Sequence, residues 1–501
     1  MEVLRSDLNK YGQQHLLQFW DQLNGEQQEC LKNDISSIDL REVTSAYQET
    51  INQTCNGVQK LDDLLEPIPK ENHGSVSGTS KAELKEYRNE GLNQIGSGRV
   101  AVLLLAGGQG TRLGVNYPKG MYDVGLPSHK TLYQLQGERI LKLQQLAYEK
   151  TGRRGTIPWY IMTSEHTVEP TIEFFAQHNY FGLKSDDIVV FEQNMHPCFD
   201  FEGRIILEKP WKISKAPDGN GGLFQSLKQR GILDDMTRRG IYHIHVYCVD
   251  NILVKMADPV FIGYCVRKNA NCAVKVVEKV VPTEAVGVVC RVNGKYQVVE
   301  YSEVSLETAQ KRNSDGKLTF NAGNICNHYF SLDFLKTVAN EKNLKHHIAK
   351  KKITYVDENG FIVKPTKPNG IKLEKFVFDV FEFSDRFVAW EVLREEEFSP
   401  LKNGEDAKAD SPTTARQALL QLHKRYVMRA GGKFEERLEL MSNENGSPKD
   451  NIICEISPLV SYDGEGLEDL VCGKTFVSPL IIRSTEEQTI LETVANGHRQ
   501  D

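Results

Sequence analysis

The sequence predicts an α/β protein with a central mixed, mainly parallel sheet, an N-terminal helical region and a small β-rich C-terminal domain. Three observations predict it. From Val100 onward, short apolar runs alternate with amphipathic stretches, the pattern of buried strands spaced by covering helices. Before that point the chain carries helical periodicity instead. One Asn-Gly pair between two apolar runs signals a hairpin, which makes the sheet mixed.

The elements follow in order. Leu16, Leu17, Phe19, Trp20 and Leu23 recur at helical spacing, so 1–98 reads as a mainly helical domain. "KENHGSVSGTSKAEL" (70–84) is polar, carries several turn formers and reads as a surface connection. "VAVLLLA" (100–106) and "IPWYIMTS" (157–164) read as strands, and 131–150 and "PTIEFFAQH" (170–178) as helices. "IYHIHVYCVD" (241–250) and "ANCAVKVVEK" (270–279) are further strands, and 286–301 is a hairpin turning at Asn293-Gly294-Lys295. These elements fall in a central α/β domain over 99–395. A polar stretch without apolar periodicity, 402–415, predicts a mobile loop near the boundary with a C-terminal domain, 396–501. That domain holds one helical segment, 415–430, and short strands in 451–462 and 478–483; residues past Leu467 give no functional signal. No repeat of 20–50 residues occurs.

Composition bounds the function classes. The chain has 501 residues, 40% hydrophobic and 26% charged, as an ordinary globular protein does. A net charge of −7 argues against a general nucleic-acid binder but leaves room for a local cationic pocket. The N-terminus is charged from its second residue and lacks a signal-peptide core. No stretch approaches ~18 apolar residues, so no membrane-spanning helix is expected. Ten cysteines scatter from Cys30 to Cys472 without a Cys-x-x-Cys pair, which predicts reduced thiols and a cytoplasmic protein. The glycosylation-type triplets at 52–54 and 445–447 then read as chance.

"VAVLLLAGGQGTRLGVNYPK" (100–119) carries the chemistry. Glycines after a buried strand let a backbone approach phosphate, and three phosphate-loop readings compete. A Walker loop ends in Gly-Lys-Ser/Thr, which is missing. A dinucleotide loop needs G-x-G-x-x-G, but the third glycine slips to Gly114, and the segment about 20 residues on, 126–132, holds no acidic ribose reader. In a nucleotidyltransferase loop, Arg112 and Lys119 would neutralise a triphosphate undergoing cleavage. For Gly107, Gly108 and Gly110 alone, a plain strand-to-helix turn fits as well.

"LAGGQGTRLG" followed by "YPKGMYDVGLPS" resembles the eukaryotic UDP-N-acetylhexosamine pyrophosphorylases. The resemblance runs from the N-terminal helices to "CEISPLVSYDGEGLE", through "APDGNGG", "HVYCVDN", "VEYSE", "FNAGN", "EKFVFD" and "LREEEFSPLKN" in the family's order. It implies a Rossmann-like, glycosyltransferase-A-like nucleotidyltransferase sheet. It also implies uridylyl transfer from UTP to an N-acetylhexosamine 1-phosphate (GlcNAc, GalNAc or both) with release of pyrophosphate and with Mg²⁺ or Mn²⁺. Neither nucleic acid nor membrane is an expected partner, and a homodimer is compatible with the likeness.

The resemblance also assigns residues. Arg112 and Lys119 are the catalytic cations, although solvated surface charge is the bland alternative. Leu105, Ala106, Gly107, Gly108, Lys119, Gln193, Gly219, Asp250 and Lys372 belong to the UTP side. Gln193 suits the uracil edge, because an amide offers both donor and acceptor; beside it Asn194 stands where some relatives have glycine. Asp250 ends a strand, where open α/β sheets bind ligands, and becomes the Mg²⁺ carboxylate. Asn220, Gly287, Glu300, Tyr301, Asn324, Phe376, Phe378 and Lys402 belong to the sugar side. "APDGNGG" (216–222) would otherwise be a surface turn, and Phe376 and Phe378 strand core. Lys402 borders the polar loop and is expected to arrive with substrate. His243 and His245 share a strand face but lack a third zinc ligand, so a structural role fits them better. A catalytically silent UDP-sugar binder remains the alternative.

Overall fold

The computed structural model describes residues 1–55, 61–301, 303–341, 344–435 and 452–488. The second glycosylation-type triplet and the last residues of the expected C-terminal domain lie outside them. The central sheet is built, in chain order, from β1 (His73–Ser75), β2 (Val100–Leu105), β3 (Trp159–Thr163), β4 (Ile188–Glu192), β5 (His243–Cys248), β6 (Cys272–Glu278), β7 (Val288–Val292), β8 (Lys295–Val299), β9 (Ala322–Ser331) and β10 (Phe387–Val392). The spatial order is β1-β10-β6-β9-β5-β2-β3-β4. The pairs β5–β2, β2–β3, β3–β4, β6–β10 and β1–β10 are parallel. β9 runs antiparallel to both β5 and β6, and β7–β8 is the expected hairpin. Asn293 and Gly294 both take positive φ (51° and 76°), as a two-residue primed turn requires. The sheet is therefore mixed and mainly parallel, as the sequence predicts.

The strands read as unbroken apolar runs because both faces are covered. Ala101, Leu103 and Leu105 of β2 enter one core, while Val100, Val102 and Leu104 enter the other. Helices supply the covers: α1 (Glu2–Lys10), α2 (Gly25–Ser36), α3 (Leu40–Cys55), α4 (Lys81–Gly96), α5 (Leu132–Thr151), α6 (Pro259–Arg267) and α7 (Pro412–Arg429) are used below. α4, α5 and α6 share one face of the sheet. The sequence sets their ends. Ser80 Oγ accepts from Glu83 N (3.2 Å) as a capping box opening α4, and Gly152, at φ 70°, stops α5.

Within 1–98 two short extended segments stand among the helices. His73–Ser75, inside the expected surface connection, pairs in parallel with β10, and Leu65–Glu66 pairs with β7. Two or three residues are too few to show strand alternation. α1–α3 pack instead against Phe199, Ile205, Ile371 and Leu373 on a small separate sheet. At the other end, α7 and the strand Cys454–Ile456 share a core with Leu113, Val124, Leu126 and Leu401. The C-terminal region is thus packed onto the segment that follows the glycine-rich loop.

Candidate active site

The carboxyl ends of β2, β3 and β4 meet at one edge of the sheet. There Ala106 N donates to Met162 O (2.8 Å) and Gln193 N to Thr163 O (2.9 Å). Ser164 Oγ donates to Gly107 O (2.9 Å). A Cβ on Gly107 would stand 2.8 Å from Gln193 Nε2, so bare backbone lies against that amide. Leu105, Ala106, Gly107 and Gln193 are brought together. The chain then does not turn into a helix, as a plain strand-to-helix reading expects. Gly110 N donates to Tyr117 O (3.1 Å), folding the loop back on itself, and α5 begins only at Leu132.

This return places Lys119 against the end of β5. Its Nζ lies 3.7 Å from Asp250 Oδ2 and donates to Leu401 O (3.1 Å). Leu401 N in turn donates to Asp250 O (2.8 Å). Asn251 fastens the same segment, donating to Glu397 O (2.6 Å) and accepting from Ser399 N (2.9 Å). Lys402 is the next residue, and its amide donates to Asp410 O (2.8 Å), which closes the polar loop on itself. Arg112 lies on the short turn Thr111–Leu113, exposed and without an ion pair among the described residues; its carbonyl borders Gly404.

The segment 216–222 is stitched to 374–377. Gly219 takes φ +83°, and a Cβ there would stand 2.3 Å from Lys375 O. Gly221 N donates to Lys375 O (2.8 Å), and Asn220 Oδ1 accepts from Val377 N (2.9 Å). Asp218 is buried and its Oδ1 has no hydrogen-bond partner among the described residues. Burial lifts its carboxyl to about 7, against the pull of the Lys375 ammonium.

The sugar-side candidates gather around the β7–β8 hairpin and the start of β9. Asn324 N donates to Gly287 O (2.8 Å), and Glu300 Oε1 lies 3.0 Å from where a Gly287 Cβ would be. Burial raises the Glu300 carboxyl, and nearby Glu303 adds to that. Tyr301 is exposed. Phe376 and Phe378 stack with centroids 5.1 Å apart, at the entry to the turn Val377–Phe383 and not in a strand. Lys372 sits on Gly370–Glu374 opposite Ala349, where it pulls the burial-raised Cys198 thiol downward. Among the described residues no hydrogen bond or ion pair joins it to Arg112, Lys119 or Asp250. The sequence reading missed Leu401, which acts through its backbone and so carries no residue-type signal, and Lys375, which is hidden beside a stronger motif. It also missed Cys248 and Cys326, whose S–H···S contact of 3.2 Å raises the first thiol and lowers the second.

The family described as "UTP--glucose-1-phosphate uridylyltransferase" matches residues 41–445. The chain belongs to this family. It is a nucleotidyltransferase, as the uridylyltransferases are. The human "UDP-N-acetylhexosamine pyrophosphorylase-like protein 1" is 55% identical over 96% of each chain. The "UDP-N-acetylglucosamine pyrophosphorylase" of Saccharomyces cerevisiae is 42% identical over 93% of this chain and 96% of its own. Among solved structures, the uridine diphosphate N-acetylglucosamine pyrophosphorylase from Trypanosoma brucei is 30% identical. It superimposes with a TM-score of 0.80, covering 97% of this chain and 98% of that one.

Within this uridylyltransferase frame the two histidines are structural. His243 Nδ1 meets Tyr329 Oη (2.8 Å), and His245 Nε2 meets Asn327 Oδ1. Burial lowers both imidazoles, to about 4 and about 3, so they stay neutral. Among the described residues no three His, Cys, Asp or Glu side chains gather as a metal cluster. Asp250 therefore offers a single carboxylate. That donor set suits Mg²⁺, which takes one or two carboxylates and fills its shell with phosphate oxygens and water.

Proposed function

We propose that the protein transfers the uridylyl group of UTP to an N-acetylhexosamine 1-phosphate. The observation that carries the reading is the convergence of Lys119, Asp250 and the Leu401 backbone beside the glycine loop that holds Arg112. A phosphate oxygen of the sugar phosphate attacks the α-phosphorus of UTP in line. The new P–O bond forms as the α–β bridge breaks, and pyrophosphate leaves with the bridging oxygen. Such a transfer needs no protein nucleophile, only alignment and positive charge. Arg112, exposed and without a carboxylate partner among the described residues, is available to the triphosphate. Lys119, held by Leu401 O, sets a second charge in fixed position. Asp250 would hold Mg²⁺ (or Mn²⁺), which when bound neutralises phosphate charge. Gln193 reads the uracil edge beside the bare backbone of Gly107. Glu300, Asn324 and Gly287 receive the sugar, with Phe376 and Phe378 bordering its N-acetyl group.

The test compares kcat/KM for GlcNAc-1-phosphate, GalNAc-1-phosphate and glucose-1-phosphate with UTP and Mg²⁺. The expected order places both N-acetylated sugars ahead of glucose-1-phosphate. If glucose-1-phosphate wins, the N-acetyl assignment fails. Absence of pyrophosphate release with all three would mark a silent binder.

A further inference from the structure

Cys248 and Cys326 lie on neighbouring antiparallel strands. The last ladder pair of β5 and β9 is Tyr247↔Asn327, so one step further the register sets Cys248 opposite Cys326. Their sulfurs are 3.2 Å apart, with the Cys248 S–H donating. Both residues are partly exposed. Asp250 follows Cys248 in the turn that ends β5 and is near enough for its charge to act on both thiols. The Cys326 amide donates to Asn324 Oδ1 (3.1 Å), so the thiol pair adjoins the proposed metal carboxylate and a proposed sugar residue.

Cys326 takes φ +53°, a left-handed conformation uncommon for a side-chain-bearing residue, where β9 slips register against β6 between Val274 and Val276. A disulfide needs the sulfurs at about 2.05 Å, so they must close by roughly 1 Å. Cys326 N donates to Asn324 Oδ1 (3.1 Å), so that movement is passed to the Asn324 side chain.

We propose that Cys248 and Cys326 form an oxidisable dithiol at the edge of the site, and that a hydroperoxide closes it to a disulfide that stops uridylyl transfer. The Cys326 sulfur, which accepts the Cys248 hydrogen, attacks the peroxide. The O–O bond breaks, and a sulfenic acid forms as the other oxygen leaves as water or alcohol. The Cys248 sulfur then displaces the sulfenic oxygen as water, forming the S–S bond. Two thiols are oxidised by two electrons, and one hydroperoxide is reduced. The closed bond pulls Asn324 out of register with Asp250. Misplacement of about 1 Å at a reacting centre can cost up to about a hundredfold in rate. Loss of turnover rests on the uridylyltransfer reading, whereas bond formation does not.

The full chain, reduced and then exposed to hydrogen peroxide, is alkylated and digested without reductant, and its linked peptides are mapped. The expected result is a peptide joining Cys248 to Cys326, with a loss of initial rate on the order of tenfold that dithiothreitol reverses. Cys248→Ala and Cys326→Ala, each compared with its own untreated rate, should resist the same treatment; exposed Cys30 and Cys472 are present in all three proteins. Absence of the Cys248–Cys326 link in the wild-type chain overturns the proposal, as does an equal fractional loss in both variants. If the untreated protein transfers no uridylyl group to any of the three sugar phosphates, the functional reading has failed. The peptide map then decides this proposal alone.

Discussion

Lys119 and Arg112 stand in the same loop but are held in different ways. Lys119 Nζ is tied to Leu401 O at 3.1 Å and faces Asp250 at 3.7 Å, whereas Arg112 has no ion pair among the described residues. Lys119 therefore has a part in the resting architecture, and Arg112 is free to act on substrate. Arg112→Ala should lower kcat by about a hundredfold or more while the UTP Kd moves only a few-fold, because the lost charge matters most where charge develops. Single-turnover rates with calorimetric UTP titration check this, and near-wild-type turnover would remove Arg112 from the mechanism. Both cations were legible in the sequence, since cationic side chains beside a glycine cluster are a residue-type signal. Leu401 was not, since any residue has a carbonyl. Asp218 was visible only as a turn former; its burial comes from the distant Lys375 segment.

At the scale of elements, the segment 216–222 depends on its partner 374–377. Gly219 is fixed by both its φ of +83° and the nearness of Lys375 O, whereas a Cβ on Gly108 would meet nothing within 4 Å among the described residues. Gly219→Ala should thus destabilise the free protein by about 2 kcal/mol or more through backbone strain and steric conflict. Gly108→Ala should leave the free protein's stability within about 0.5 kcal/mol yet weaken UTP binding, since only a bound nucleotide can meet the new methyl. Urea unfolding of both variants tests the contrast, and equal destabilisation would contradict it. The long apolar strands and the Asn293-Gly294 hairpin were legible because their periodicity and turn chemistry are local. β1 was not, because three residues show no alternation. Phe376 and Phe378, two apart, fit strand spacing, yet they fold as the start of a tight turn pinned by Asn220 and by Asp379 Oδ2, which accepts from Phe376 N (2.8 Å).

At the scale of the molecule, the strand order β1-β10-β6-β9-β5-β2-β3-β4 was not legible, because nothing local in β9 says that it runs back between β5 and β6. Long-range burial also sets how the protein responds to acid. His245, on β5, and His423, on α7, are buried, and burial lowers each imidazole to about 3; His423 Nδ1 accepts from Ile456 N (3.0 Å) and so must be neutral. Both pKa values are depressed, so the unfolded chain takes up protons first, near 6.5. Stability is complete above that value and falls as pH drops toward 3. Each histidine should make folding about 2 kcal/mol less favourable at pH 5 than at pH 7. Urea midpoints at the two pH values measure this, and unchanged midpoints would refute it. The tie from Lys119 to Leu401 spans 282 positions of chain. During synthesis the glycine loop, β5 and Asp250 can be in place while the carbonyl that holds Lys119 has yet to leave the ribosome. Since chains emerge N-terminus first, the centre is completed late, and a chain ending before residue 401 would lack the carbonyl that anchors its second cation.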